Sequence, residues 1–245
     1  MTTTKEYGRN REILHSQFRM MYNREDMYIK GLDDDNIISF FTTKKGAGRT
    51  PFTNEEVREV LGLTDVPWVR GRQVHGCEVF EVNSPIKEDL SLEGYDAFVT
   101  DVKGVCLVTG HADCIPVQLY DPEKGVIAAV HAGWRGTALN IAGKTSDLLR
   151  DKYHCQDIKA WIGPGISKCC FEVGPEVVEA FKDYPECIYG DHIDLKEINR
   201  VQLVNNGIKE IAVSDICTYC DEGFISYRRD KEPVLRMGSG ICMPL

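Results

Sequence analysis

Residues 106–142 constrain this chain more than any other stretch. The apolar runs 105–109, 115–120 and 126–130 have strand length, and Gly, Pro or Asp interrupts the chain between them. Asp121-Pro122 marks a turn between the second and third runs. Beyond them, Ala138, Ile141, Ala142, Leu148 and Leu149 fall at helical spacing, with Thr137 as the predicted cap. The order is therefore strand, tight polar turn, strand, turn, strand, Gly-rich turn, helix. Both sharp breaks carry reactive side chains: His111, Asp113 and Cys114 at one, His131, Trp134 and Arg135 at the other. Perturbed polar groups cluster at functional sites more often than in cores, so these breaks are where a site is expected.

The flanking sequence supplies more strands than helices. Residues 27–29 and 37–42 read as a hairpin around a turn at 31–36, followed by the basic loop Lys44-Lys45-Gly46. Residues 54–61 predict a short helix stopped by Gly62. The strand-rich segment 66–82 holds His75 between Val74 and Gly76, at a bulge or strand end. A strand at 158–162 ends at Gly163-Pro164-Gly165, and Pro175 suits the first turn of a helix running through Phe181. Asp194 and Glu197 resemble a capping box opening a helix over 195–205, closed by Gly207. Segments 210–216, 224–228 and 240–243 read as strands. Strands and helices do not alternate, which predicts an α+β fold in layers and not a Rossmann or barrel topology. With no repeat and no linker, residues 27–245 form one predicted domain after an N-terminal extension, residues 1–26, that is helical or poorly ordered.

A net charge of −9 over 245 residues argues against a nucleic-acid binder, whose phosphate contacts need a basic face. No stretch reaches membrane-spanning apolar length, and the first twenty residues lack a signal-peptide core, so a cytoplasmic protein is expected. In that compartment the 10 cysteines stay reduced and must serve metal binding, catalysis or burial. Cys217 and Cys220 form a C-x-x-C with no second pair at finger-like spacing. The residues after it look like a turn into a strand, which favours burial at a strand end. The adjacent Cys169-Cys170 reads as structural as well.

His75, Cys114 and His131 offer two imidazoles and one thiolate. That is the donor set of a catalytic zinc, which keeps a fourth position open where structural sites close with four protein ligands. His111, three residues before Cys114, is the rival ligand or a support for one. Asp113 is the nearest carboxylate for general acid or base work. Arg135 lies where a strand, a Gly turn and a helix start expose backbone N–H groups to an anion.

Arg72-Gln73-Val74-His75-Gly76, Ala112-Asp113-Cys114-Ile115-Pro116-Val117 and His131-Ala132-Gly133-Trp134-Arg135-Gly136-Thr137 together resemble the signature of the YfiH family. This family is also called laccase-domain, polyphenol oxidase or multifunctional purine nucleoside enzyme. Trp161-Ile162-Gly163-Pro164, Phe171-Glu172-Val173-Gly174, His192-Ile193-Asp194-Leu195, Cys217-Thr218 and Ser226-Tyr227-Arg228-Arg229-Asp230 extend the likeness in order. The resemblance implies a single four-layer α/β/β/α domain with mixed sheets, similar to certain cysteine hydrolases. Its zinc ligands fall on His75, Cys114 and His131. The implied activities are phosphorolysis of adenosine, inosine, guanosine and methylthioadenosine, and deamination of adenosine, for which zinc-activated water suits attack at C6. Phosphate needs an anion pocket, for which Lys44, Arg72, Arg135, Arg228 and Arg229 are the residues at hand. The family loop Phe-Ser-Thr-Arg-x-Gly-Gly reads here Phe41-Thr42-Thr43-Lys44-Lys45-Gly46-Ala47, so a bidentate Arg is replaced by Lys44. The family's late Thr-Gly-Arg becomes Val234-Leu235-Arg236. A monomer or homodimer is expected.

Three other functions compete. Copper in the same site agrees with the Irving–Williams order, yet a multicopper oxidase needs several His-x-His pairs and the chain has 6 His with no such pair. A cysteine hydrolase would use Cys114 as nucleophile with His131 or His75 as base, on a substrate such as a peptidoglycan precursor. A non-enzymatic zinc-stabilised binding protein would hold its metal fully ligated.

Overall fold

The computed structural model describes residues 26–231 and 234–245, so the predicted N-terminal extension lies outside the described residues except for Asp26. Strands β1 (Tyr28–Lys30) and β2 (Ile38–Thr42) form the expected antiparallel hairpin. Then come β3 (Gly48–Arg49), α1 (Glu55–Val60), β4 (Trp68–Arg72), β5 (Val79–Val82), β6 (Leu90–Glu93) and β7 (Ala97–Thr100). Asn54 caps α1 by accepting from the Val57 N–H at 3.2 Å, and Gly62 stops it at φ +69°. The three central runs are β8 (Val105–His111), β9 (Ile115–Asp121) and β10 (Val126–Ala132), each reaching one or two residues beyond its apolar core. The second half holds α2 (Trp134–Ala138), α3 (Ile141–Tyr153), β11 (Lys159–Ile162), α4 (Pro175–Ala180), β12 (Ile188–Tyr189) and β13 (His192–Ile193). It closes with α5 (Leu195–Asn205), β14 (Glu210–Val213), α6 (Tyr227–Asp230) and β15 (Leu235–Met243).

Two mixed sheets carry the fold. One has the order β1-β2-β15-β8-β4-β6 with β3 added on β15, the other β14-β11-β9-β10-β7-β5. Although β8 and β9 are separated by a three-residue turn, they lie in different sheets. The turn Ala112-Asp113-Cys114 is thus a crossing between layers, whereas β9 and β10 pair as a true antiparallel hairpin. The segment 66–82 also divides, β4 joining the first sheet and β5 the second.

The period of two along the strands sorts side chains into layers. On β8, Leu107 faces the second sheet, while Cys106 and Val108 face outward and pack with Phe52, Val57, Leu63 and Trp68 at α1. On β9 and β10, Ile115, Val117, Leu119, Ala128 and Val130 face the helical side, packing with Ile141 and Leu149 of α3 and Leu195 and Ile198 of α5. Tyr120, Ile127 and Ala129 point between the sheets, against Val69, Leu107 and Ile241. The result is α1, sheet, sheet, helices: the four-layer arrangement. Gln118, fully buried, crosses the gap. Its amide donates to the carbonyls of Phe40 and Gly240, at 3.1 and 3.0 Å, and its Oε1 accepts from the Ser39 hydroxyl.

Two local expectations give way. Thr137 does not open a helix. Gly133 is the N-cap of α2, Thr137 sits inside that helix, and a left-handed Asn140 at φ +59° separates it from α3. Residues 224–228 are not a strand: Phe224 and Ile225 are buried as loop residues, and Ser226 caps α6 by accepting from the Arg229 N–H at 3.1 Å.

Candidate metal centre

His75, Cys114 and His131 come from three separate elements, and their ligand atoms lie within 4.8 Å of one another. His131 is the penultimate residue of β10 and sits on its inter-sheet face. Cys114 ends the crossing turn, and His75 lies in the loop between β4 and β5. The two imidazoles meet edge to face, with ring centroids 5.0 Å apart. His75 is exposed, Cys114 half-buried and His131 buried, so the cluster opens to solvent on one side. Gly133 makes room for it: a Cβ there would meet His75 Cδ2 at 2.8 Å and Cys114 Sγ at 3.2 Å.

Asp96 organises this cluster, and nothing local in the sequence singles it out. Its carboxylate is wholly buried. Oδ1 accepts from the His75 N–H at 3.0 Å and His131 Nδ1 at 2.8 Å, and Oδ2 accepts from Val74 and Gly76 N–H at 3.2 and 2.8 Å. Those backbone donors curl the loop around the carboxylate and hold His75 at φ +62°, a conformation that costs a non-glycine residue about 1–2 kcal/mol. Burial alone would raise the Asp96 pKa, but the His131 hydrogen bond and charge, with the N–H groups of Gly76 and Val74, hold it below its ordinary value. With Nδ1 of His131 committed to Asp96, Nε2 is left for a metal. This carboxylate–imidazole pairing fixes ligand orientation in zinc sites.

His111 is a support and not a ligand in this geometry. It is buried, and both ring nitrogens are engaged: Nδ1 donates to the Cys114 carbonyl at 3.0 Å, and Nε2 lies 2.8 Å from the Thr109 hydroxyl. Burial, with the neighbouring His131 charge, holds its pKa well below the usual value, so it is neutral and fixes the Cys114 backbone.

Without a metal, Cys114 and His131 form a thiolate–imidazolium pair. Burial opposes the Cys114 charge, but His131 and His75 bring its pKa down to about 6. Burial likewise opposes the His131 charge, and Cys114 and Asp96 bring that pKa up to about 9. One thiolate and two imidazoles, held this close and braced from behind, fit a zinc-type donor set.

The remaining residues singled out from the sequence divide by how their polar atoms are used. Asp113, at φ +84°, accepts from the Thr218 hydroxyl at 2.6 Å, the Ser226 hydroxyl at 3.0 Å and the Arg228 N–H at 2.7 Å. Oδ2 therefore clamps the crossing turn to the α6 segment, and Oδ1 ties it to the loop after β14. Arg229 donates to the carbonyls of Thr218, Tyr219 and Phe224 at 2.9, 2.8 and 2.6 Å and pairs with Asp230. Its guanidinium holds that loop together. Arg228 is exposed, spends one nitrogen on the Glu172 carbonyl at 2.9 Å, and stands on the same clamp. Arg135 is exposed in the first turn of α2, four residues after His131, with its guanidinium 4.2 Å from the Trp134 ring centre. Lys44 lines a surface hollow with Lys45, Glu222 and Gly223, and Arg72 is exposed at the end of β4, three residues before His75.

A family model described as multi-copper polyphenol oxidoreductase laccase matches residues 52–244. Purine nucleoside phosphorylase YlmD of Geobacillus stearothermophilus is 35% identical over 215 residues, 78% of each chain. The chain belongs to the laccase-domain, or YfiH, family. Another YfiH-family relative, adenosine deaminase RL5 from an unknown prokaryotic organism, is 36% identical over 69% of this chain and 72% of its own. The crystal structure of Geobacillus stearothermophilus YlmD superposes with a TM-score of 0.79 at 29% identity, over 91% of this chain and 98% of that one. That of the Bacillus licheniformis hypothetical protein YfiH gives 0.77 at 30% identity, over 84% and 92%. The resemblance read from the motifs is thereby established, with the mixed α/β two-sheet fold it implied. Like its YfiH-family relatives, this chain is an enzyme. Among the described residues, no helix is long and apolar enough to cross a membrane.

Proposed function

We propose that this enzyme carries out phosphorolysis of purine nucleosides, among them adenosine, inosine, guanosine and methylthioadenosine, and deaminates adenosine, with zinc held by His75, Cys114 and His131. The observation that carries this reading is the convergence of two imidazoles and one thiol on a shared point, braced by Asp96, in a chain whose relatives bear both activities in their names. When bound, zinc would supply Lewis acidity, polarising a water or a substrate heteroatom beside it. The protein supplies position. Asp96 keeps both histidines aimed, His111 fixes the Cys114 carbonyl, and Asp113 holds the crossing turn against α6. Arg135 is the first choice for phosphate. It is exposed, its guanidinium makes no ion pair among the described residues, and only Ala132-Gly133-Trp134 separates it from His131. Arg72, Arg228 and Lys44 are the further cations of this reading, with Lys44 giving point-charge attraction where the family carries a bidentate Arg. All three metal ligands come from one chain, so the metal needs no ligand from a second copy.

A copper-oxidase reading lacks ligands. Among the described residues, the only His-containing metal cluster is His75, Cys114 and His131, too small for a three-copper centre. One observation favours a second reading: the Cys114–His131 thiolate–imidazolium pair is the ground state of a cysteine nucleophile. Protein of defined metal content, incubated with a nucleoside panel with and without phosphate, distinguishes the two. Free base and ribose 1-phosphate appearing only with phosphate, together with inosine from adenosine, support the proposal. No turnover of any nucleoside under either condition removes it.

A further inference from the structure

The C-x-x-C and the adjacent cysteine pair, read separately from the sequence as structural, converge in space. The Sγ atoms of Cys169, Cys170, Cys217 and Cys220 all lie within 4.8 Å of one another, and no disulfide joins them. Burial does not explain the cluster, because Cys169 and Cys220 are exposed. We infer that these four cysteines form a second metal site, a tetrathiolate centre for zinc(II), separate from the His75, Cys114 and His131 site.

Geometry carries the inference. Four sulfurs at about 2.3 Å from a tetrahedral zinc stand roughly 3.8 Å apart. The observed separations are 3.3 Å for Cys170–Cys220, 3.5 Å for Cys169–Cys170 and 3.7 Å for Cys169–Cys220, with the rest below the 4.8 Å bound. A modest expansion admits the ion. Neighbouring side chains on a strand point to opposite faces, so an adjacent pair can share a metal only at a turn. Cys169-Cys170 sit at one, closed by the Cys170 and Phe171 N–H groups donating to the Ser167 carbonyl at 2.9 and 3.0 Å.

The surroundings favour thiolate. The Ser167 N–H donates to Cys217 Sγ at 3.4 Å, and the N–H groups of Tyr219 and Cys220, inside the C-x-x-C turn, also favour charge on that sulfur. Such donors stabilise charge on a sulfur ligand. Lys196 brings a cation from behind. It is 5% exposed and donates to the carbonyls of Ser214 and Ile216 at 3.0 and 2.6 Å. Four thiolates around a divalent ion carry a net double negative charge, which suits a buried ammonium. Binding would release the thiol protons to solvent with no redox step.

The place in the fold gives the site a task. It would clip the loop after β11 to the loop after β14, joined otherwise by the bridge between Gly165 and Cys217 and the Thr218 N–H bond to the Gly165 carbonyl at 3.2 Å. Both loops hold Asp113: Ile166 N–H donates to its carbonyl at 2.8 Å, and Thr218 to its carboxylate. The second metal would thus stiffen the turn that presents Cys114.

The test is cobalt(II) titration of the full chain with Cys114→Ser, which removes the thiolate of the first site, followed by absorption. The inference expects one equivalent with intense thiolate-to-cobalt charge transfer, abolished when Cys217→Ser and Cys220→Ser are added. It also expects alkylation of Cys169 and Cys220 in the wild-type chain to slow about tenfold or more on zinc addition. Should Cys114→Ser not fold, metal counting on the wild-type chain decides: two zinc ions support the site and one overturns it. No charge-transfer band in folded Cys114→Ser, unchanged alkylation in zinc, or a disulfide among the four in freshly isolated protein would each overturn it.

Discussion

Asp96→Asn removes one charge and no volume, and its consequences follow from four hydrogen bonds. The carboxylate accepts two donors at each oxygen. An asparagine has one oxygen, so its NH2 either faces the Val74 and Gly76 N–H groups or faces the His75 N–H and makes His131 Nδ1 give up its proton, and two of the four present bonds are lost either way. Hydrogen bonds to a charged acceptor contribute about 1.5–3 kcal/mol each, giving a gross loss of roughly 3–6 kcal/mol before relaxation. For a chain of this size a loss near 3 kcal/mol lowers Tm by about 6–12 °C. The metal should suffer separately. Loss of a carboxylate behind a ligating histidine weakens binding by about 10- to 100-fold. Zinc competition against a chromophoric chelator reads the second effect, and thermal melts of metal-free protein read the first. Wild-type zinc affinity in Asp96→Asn, with Tm shifted by less than about 2 °C, would refute the assignment of Asp96 as the brace of both histidines.

Arg135→Ala should reduce phosphate-dependent turnover at least tenfold and change stability by no more than about 1 kcal/mol, since only a stack on Trp134 is lost; kinetics at varied phosphate beside a urea melt checks both. Arg229→Lys should show the converse, a loss of about 2–4 kcal/mol in the same melt, because a single ammonium cannot reach the Thr218, Tyr219 and Phe224 carbonyls together. Gln118→Leu should cost about 2–4 kcal/mol by taking the acceptor from the buried Ser39 hydroxyl and the donor from the buried Ser239 hydroxyl between the sheets, measured as a reduced denaturation midpoint with unchanged m-value. Asp89 and Asp96 have folded pKa values below the ordinary 3.8. Burial opposes their charge, but Arg58 and Arg70 outweigh it at Asp89, and His131 with backbone N–H groups outweighs it at Asp96. A depressed carboxylate contributes stability that is complete above the unfolded pKa and lost as pH falls through the folded one. Stability should therefore fall on acidification below about pH 4, with a shallower fall in Asp89→Asn, read by denaturant midpoints across pH.

Local pattern made much of this molecule legible. The three apolar runs, the Asn54 and Asp194 caps and the Gly62 and Gly207 stops report their own neighbourhoods, and the structure agrees with them. Asp194 accepts from the Glu197 N–H at 3.1 Å as a capping residue should, although Glu197 turns to Arg200 and does not complete the box. Non-local pairing was illegible. Nothing in residues 105–121 says that β8 and β9 belong to different sheets, because both strands are buried on both faces and read alike. The strand reading of 224–228 followed its apolar content, while Ser226 and the Asp113 clamp impose a helical turn. Of the site, the ligand types were visible because a thiol and imidazoles at sharp breaks are chemically conspicuous. Asp96 was not, since a carboxylate at the end of a turn resembles any solvated Asp until His131 and the 74–76 loop fold onto it. The cysteine quartet stayed hidden for the same reason: its two halves lie on loops whose closeness only β11 and β14 create.

The central claim, that Cys114 serves as a metal ligand beside His75 and His131, is tested most directly by adenosine turnover in rigorously metal-free protein, before and after one equivalent of zinc. The account predicts no turnover without metal and full recovery with it. It also predicts that alkylation of Cys114 is slow in the zinc-loaded protein and fast in the metal-free protein, where His131 holds the sulfur as thiolate. Full activity without metal, accompanied by a covalent adduct trapped on Cys114, would contradict it.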